Sequence, residues 1–221
     1  MKFFKKLFDK NYKFNYLRDK ALSRLTDDNY RYLFDDTMSD EWVCLDFEMT
    51  GTDPKTDKIL SVGAVKIVKD NSMFTLDMTA SLSMICRPPV MPNTDSIVIH
   101  GLRPMDLENG LDYRMMLQAL LPLIASRPIV GFCTGMDKAF LNAEVKKYLN
   151  VELINPCLDV SIIEQNYRQK RTRNPDMIAE QKHLNTLISE YNIPLLPAHD
   201  ALNDAVMTGM LFCKLMNLDK K

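Results

Sequence analysis

Two short apolar runs, WVCLDFEM from Trp42 and ILSVGAVKIV from Ile59, joined by the turn-rich stretch TGTDPKTDK, constrain the fold of this chain more than any other feature. Each run has the length and apolar character of a buried strand, and the short connection makes the two neighbours in one sheet. A third strand, FTLDMTASLSMI, alternates more weakly and ends just before Pro88 and Pro89, where a strand has to stop. The pattern then predicts helix over 111–126, strand over 128–133, helix over 136–149, and helical stretches over about 159–168, 176–191 and 199–217. Strands followed by strand-helix alternation predict an α/β fold, a mixed sheet with helices on its faces.

Ahead of the sheet lies an arm of different character. Residues 1–24 carry eight Lys or Arg against Asp9 and Asp19, a net charge of +6, so the other 197 residues carry −7 within an overall −1. Phe3, Phe4, Leu7, Phe8, Phe14, Leu17, Ala21, Leu22 and Leu25 recur mostly at helical steps, which makes the arm a basic amphipathic helix. Such a helix can lie on an anionic membrane, approach nucleic acid, or pack on its own domain. An acidic stretch from Asp27 to Glu41 follows. The boundary is placed near residue 40, giving an arm over 1–40 and a domain over 41–221.

Composition bounds the function. No apolar run approaches the length of a spanning helix, and charges interrupt the N-terminus before a signal-peptide core can form. Five scattered cysteines show neither paired nor zinc-ligand spacing. A cytoplasmic protein with buried free thiols is expected. The fifteen methionines fall mostly in apolar patterns and read as core filler.

The candidate chemistry lies in three places. Asp46 and Glu48 are two apart in strand LDFEM, so their side chains share one face and need cations to compensate them; a solvent-facing pair of acids is the alternative. Thr50 and Gly51 follow at the strand end, offering a hydroxyl, N–H groups and a residue without a side chain to a phosphate or sugar. In GFCTGMDKAFL, Asp137 opens a helix after a Gly-containing turn. In HDALNDAVMT, His199 and Asp204 are five apart and share a site most easily if His199 precedes the helix, whereas Asp200 has a capping explanation.

DFEMTG, GFCTGMDKAFL and HDALNDA, in that order and with those separations, resemble the three motifs of the DEDDh family, the DnaQ-like 3′–5′ exonucleases. The resemblance covers about residues 42–217. It implies an RNase H-like fold in which Asp46, Glu48, Asp137 and Asp204 hold two Mg²⁺ or Mn²⁺ ions and His199 is the general base, releasing nucleoside 5′-monophosphates from single-stranded DNA or RNA 3′ ends. Hard oxygen ligands suit those ions. His100, in IVIHGL, resembles a segment lining the family's terminal-nucleotide pocket and is carried as a substrate contact with Thr50 and Gly51; His183 reads as structural or exposed.

Departures from the pattern bear on substrate. Met49 stands where DnaQ-like members commonly have Thr and oligoribonucleases usually have Met, so an oligoribonuclease-like enzyme acting on short RNA is an alternative. Phe132 and Cys133 replace a common His-Asn pair, and Ser61 stands where many members carry Glu. A catalytically silent nucleic-acid-binding or scaffold protein is the other alternative. No tail of the kind that binds proofreading subunits to a polymerase is visible, which points to a stand-alone nuclease. The densest basic cluster outside the arm, Arg168, Lys170, Arg171 and Arg173, is a candidate phosphate track.

Overall fold

The computed structural model describes residues 11–38, 40–91, 97–98, 100–171 and 180–218. Helix α1 (Asn11–Leu22) and a 3₁₀ turn (Asp28–Phe34) precede β1 (Glu41–Met49), β2 (Ile59–Asp70) and β3 (Met73–Ile85). There follow α2 (Pro104–Leu107), α3 (Tyr113–Ile124), β4 (Ile129–Gly131), α4 (Gly135–Leu149), β5 (Cys157–Asp159), α5 (Val160–Arg171), α6 (Leu184–Glu190) and α7 (Ala201–Leu218). The five strands form one sheet in the order β3-β2-β1-β4-β5. β1, β2 and β3 pair antiparallel, while β4 and β5 extend the sheet in parallel on the other side of β1. This is the mixed sheet that the strand pattern predicts.

Alternation along β1 divides the core in two. Val43, Leu45 and Phe47 pack into a cluster with residues of the arm, α3 and α4, while Trp42 and Cys44 pack with α5, α6 and α7 on the opposite face. Asp46 and Glu48 continue the Trp42 and Cys44 series, so period-2 geometry directs them to the α7 face. α7 is anchored there by an aromatic cluster, with Trp42 and Phe74 centroids 4.9 Å apart and Phe212 edge-on to Phe74 at 5.8 Å. Its N-terminal end sits directly on the sheet because Gly63 has no side chain: a Cβ there would fall 2.1 Å from the carbonyl carbon of Ala201.

Several expectations shift. A strand absent from the sequence reading, β5, occupies Cys157–Asp159, where three residues are too few to show periodicity. The helix expected over 176–191 spans only Leu184–Glu190 among the described residues, since 172–179 lie outside them and 180–183 are not helical. α7 starts at Ala201, leaving His199 in the preceding loop. Leu33 and Phe34, ahead of residue 40, are buried in the same core cluster as β1, so the latter part of the arm is built into the folded body. In the described part of the apolar stripe, Ala21 is buried while Leu17 is exposed; Phe3, Phe4, Leu7 and Phe8 lie outside the described residues.

Met116 and Met207 are core residues, but Met73, Met78, Met91, Met105, Met115 and Met136 are exposed, so methionine is not mainly core filler. Cys44, Cys86 and Cys213 are buried free thiols; Cys133 and Cys157 are exposed.

Candidate active site

The three motifs converge at the end of β1. Asp46 lies opposite Gly63 and Glu48 opposite the buried Ser61, and a bulge falls between Glu48 and Met49. Bulges commonly re-aim side chains beside active sites. Asp137, buried in the first turn of α4, arrives from the face that carries Leu45 and Phe47. Asp204, in the first turn of α7, arrives from the other face.

His199 is exposed and held at φ +62°, a left-handed conformation that a residue with a side chain adopts at some cost. Its backbone N–H donates to Asp204 Oδ2 at 3.0 Å, which ties the loop to the helix. Ligand atoms of Glu48, His199 and Asp204 all lie within 4.8 Å of one another. The neighbouring Asp200 accepts the N–H of Asn203 at 2.9 Å, so it caps α7 as its position suggested.

Electrostatics set this group apart. Burial pushes the Asp46 carboxyl well above the usual carboxylate range, and the charges of Asp137, Asp204, Glu48 and Asp200 push it further. Glu48 is raised to about 7 by burial first and then by Asp204 and Asp200. Asp137 is raised to about 8 by burial, opposed in part by the backbone N–H groups of Phe47 and of Asp137 itself. Asp204 is raised by burial, with the His199 N–H pulling the other way. Among the described residues no Lys or Arg forms an ion pair with any of the four. Four crowded, uncompensated oxygen donors fit divalent cations.

The remaining expected site residues divide. His100 is buried, with Nδ1 accepting the Leu102 N–H at 3.0 Å, and its proton affinity is lowered by burial and by His199, which places it beside the motif-three histidine. The Thr50 hydroxyl is occupied within its own turn: it donates to Asp57 at 3.1 Å and accepts the Lys58 N–H at 3.0 Å. At Gly51 a Cβ would meet the Asp57 carboxylate at 2.5 Å. These two positions therefore shape the β1–β2 turn, and the expected hydroxyl contact from Thr50 is spent internally. His183 is exposed at the start of α6.

The candidate phosphate track is also partly occupied. Arg168 pairs with the buried Glu164 at 2.6 Å and Arg171 stacks over Tyr167, while Arg173 lies outside the described residues.

Two residues matter that the sequence reading passed over. Gly63 lets α7 touch the strand opposite Asp46, and a glycine inside the apolar run ILSVGAV was the available signal. Asp159, at the end of β5, accepts the N–H of Cys133 at 3.2 Å and the N–H and hydroxyl of Ser161 at 3.0 and 2.6 Å, fixing the turn that leads to Asp137. No sequence signal distinguished it, because its strand went unrecognised.

A sheet of this order with four carboxylates and a histidine at the end of its central strand defines an RNase H-like nuclease. Residues 43–212 match the family model described as Exonuclease, and the chain belongs to that family, the DEDDh, DnaQ-like 3′–5′ exonucleases. It is similar to the PolC-type DNA polymerase III of Thermotoga petrophila, 27% identical over 180 residues that make up 81% of this chain and 12% of the relative. The corresponding Bacillus subtilis protein is 25% identical over 79% of this chain and 11% of its own length. The chain thus spans only a small fraction of these curated relatives. Among solved structures, E. coli Exonuclease I in complex with a dT13 oligonucleotide has a TM-score of 0.65 at 17% identity, covering 79% of this chain and 40% of that one. The zinc-bound form of the Exonuclease I complex with single-stranded DNA gives 0.66 at 15%, covering 83% and 42%. These likenesses are of fold.

Proposed function

We propose that this chain removes nucleotides from the 3′ ends of single-stranded DNA or RNA, releasing nucleoside 5′-monophosphates in a reaction that needs two Mg²⁺ or Mn²⁺ ions. The observation that carries the reading is the convergence of Asp46, Glu48, Asp137 and Asp204, all with raised proton affinity and none ion-paired among the described residues, beside His199. Those four carboxylates would hold the ions. When bound, the ions supply charge for the phosphodiester oxygens and favour ionisation of water.

The protein's own part is proton handling and placement. His199, exposed at the mouth of the site, takes the proton from the attacking water, whose oxygen adds to the terminal phosphorus as the bond to the upstream 3′ oxygen breaks. The His199 backbone bond to Asp204 ties the base to the helix that carries a ligand. In this reading the buried His100 contacts the terminal nucleotide. Support for single-stranded DNA as the substrate comes from the Exonuclease I structures with oligonucleotides bound, and the zinc-bound form of one supports a divalent metal.

The test is the shortening of 5′-labelled single-stranded DNA and RNA of matched sequence with Mn²⁺, Mg²⁺ or EDTA. A metal-dependent ladder receding from the 3′ end is expected, its relative rates giving the sugar preference. Cleavage of dinucleotides in preference to longer strands would move the assignment to an oligoribonuclease-like enzyme. No cleavage of any of them would leave a fold kept for binding.

A further inference from the structure

α1 and the turn after it lie against α4 and the segment leading to β5, and a groove of about 440 Å³ runs between them. Its floor includes the buried Ala21, Val151 and Leu153, and its walls carry Lys20, Arg24, Lys138 and Lys146. Glu152 is the one acid lining it. The two walls are fastened together: Thr26 N–H donates to the Leu149 carbonyl at 3.2 Å, Thr26 Oγ1 to that of Tyr148 at 3.3 Å, and Asn150 Nδ2 to that of Arg24 at 3.2 Å.

We propose that this groove holds the phosphate backbone of the nucleic acid strand, so that the arm is a substrate-binding element of the exonuclease. The inference rests on the exonuclease reading for the identity of the strand. Among the described residues Lys20 and Arg24 have no ion-pair partner, and Lys146 has only the exposed Glu152 at 3.0 Å, a contact that contributes little in water. Lys138 donates to the Asn155 carbonyl at 3.0 Å, which neutralises no charge.

The groove runs along α4, the helix that carries Asp137 in its first turn. Lys138 directly follows Asp137, and Lys146 is eight residues, about 12 Å, further along the same helix. Lys138 and Lys146 are therefore spaced along the groove by about the span of two phosphates. A concave, cation-walled trough also suits a strand better than the flat surface of a membrane. With the body of the protein at −7, this arm-built groove is where a polyanion meets positive charge.

The experiment separates strand binding from chemistry. With the full chain in EDTA, anisotropy of a fluorescein-labelled oligothymidylate of about 16 nucleotides is followed over a salt series for the parent and for Lys20→Glu/Arg24→Glu. The variant is expected to bind roughly tenfold more weakly, with a salt slope shallower by about 1.4, near 0.7 for each cation lost. With Mn²⁺, hydrolysis of the p-nitrophenyl ester of thymidine 5′-monophosphate, too small to reach the groove, is expected to be unchanged. Lys146→Glu, on the folded body, repeats the binding test in case the double variant is poorly folded.

Equal affinity and equal slope in both variants would overturn the proposal. So would loss of binding to phosphatidylserine vesicles with strand binding intact, which would make the arm a membrane element, or a change in oligomeric state with strand binding intact. Failure of the parent to hydrolyse the ester or any strand, with groove-dependent binding retained, would instead overturn the exonuclease reading alone.

Discussion

Two helices deliver acids to the end of β1 from opposite faces of the sheet, and they do so differently. α4 brings Asp137 into a site where only 5% of its surface remains exposed, and the turn before it is fixed by the Asp159 carboxylate. α7 brings Asp204 into a half-open position, preceded by an exposed His199 in a left-handed conformation, and reaches the sheet through the contact that Gly63 permits. The α4 side is a fixed wall; the α7 side is the edge where a proton can come and go. On the proposed reading, a ligand can be built deep at the expense of folding stability, but a base has to face water.

The strongest way to break the comparison is to neutralise each acid in turn. Asp137→Asn and Asp204→Asn are each expected to lower metal-dependent turnover by roughly 10³-fold or more, because each removes an anionic oxygen ligand. They are expected to part company in stability. Asn at 137 relieves a buried carboxyl raised to about 8, so the metal-free protein is expected to melt higher by roughly 3 °C, whereas Asn at 204 gives a smaller change. Single-turnover assays and thermal melts in EDTA check both, and equal melting shifts would erase the distinction between wall and edge.

Gly63 sharpens it next. Gly63→Ala puts a methyl into the backbone of Ala201 and Leu202, so the N-terminal end of α7 has to move while α4 keeps its place. A displacement of about 1 Å at a reacting group costs on the order of 10²-fold in rate, and that is the expected fall in kcat. Gly135→Ala is the matched control in α4, where a Cβ meets nothing within 4 Å and the melting temperature is expected to hold or rise slightly. A fall in kcat as large for Gly135→Ala as for Gly63→Ala would contradict the role given to the α7 contact.

How much of this was legible beforehand follows from where the signals are local. The antiparallel strands read clearly because β1 and β2 are long apolar runs with a turn between them, and the candidate site residues could be picked out because each acid or histidine stands out in an apolar or turn setting. β5 was missed because three residues carry no period, and with it Asp159. The internal bonding of the Thr50 hydroxyl was not legible because its partner, Asp57, lies across a turn whose closure is a three-dimensional fact. The pairing of Arg168, a member of the candidate phosphate track, with Glu164 was not legible because Glu164, though one helical turn away, is buried by packing that the sequence does not display.

The smallest effect is thermodynamic and concerns the acid cluster as a whole. Each raised carboxyl binds its proton more tightly in the folded chain than in the unfolded one. The folded state thus has its full advantage below the ordinary values of 3.8 to 4.5 and loses it as pH climbs through the folded values, about 7 for Glu48 and about 8 for Asp137. The metal-free protein is therefore expected to melt lower as pH rises from 5 to 8, by about 5 °C. Saturating Mn²⁺ is expected to flatten that slope, because an ion that binds only the folded chain rewards the deprotonated acids that repulsion penalises. Asp137→Asn is expected to remove part of the slope, most visibly at its upper end, while His199→Ala leaves the carboxyl-driven fall in place. A metal-free melting temperature that rises over the same range would mean that the four acids are not lifted together, and the division into wall and edge would lose its electrostatic basis.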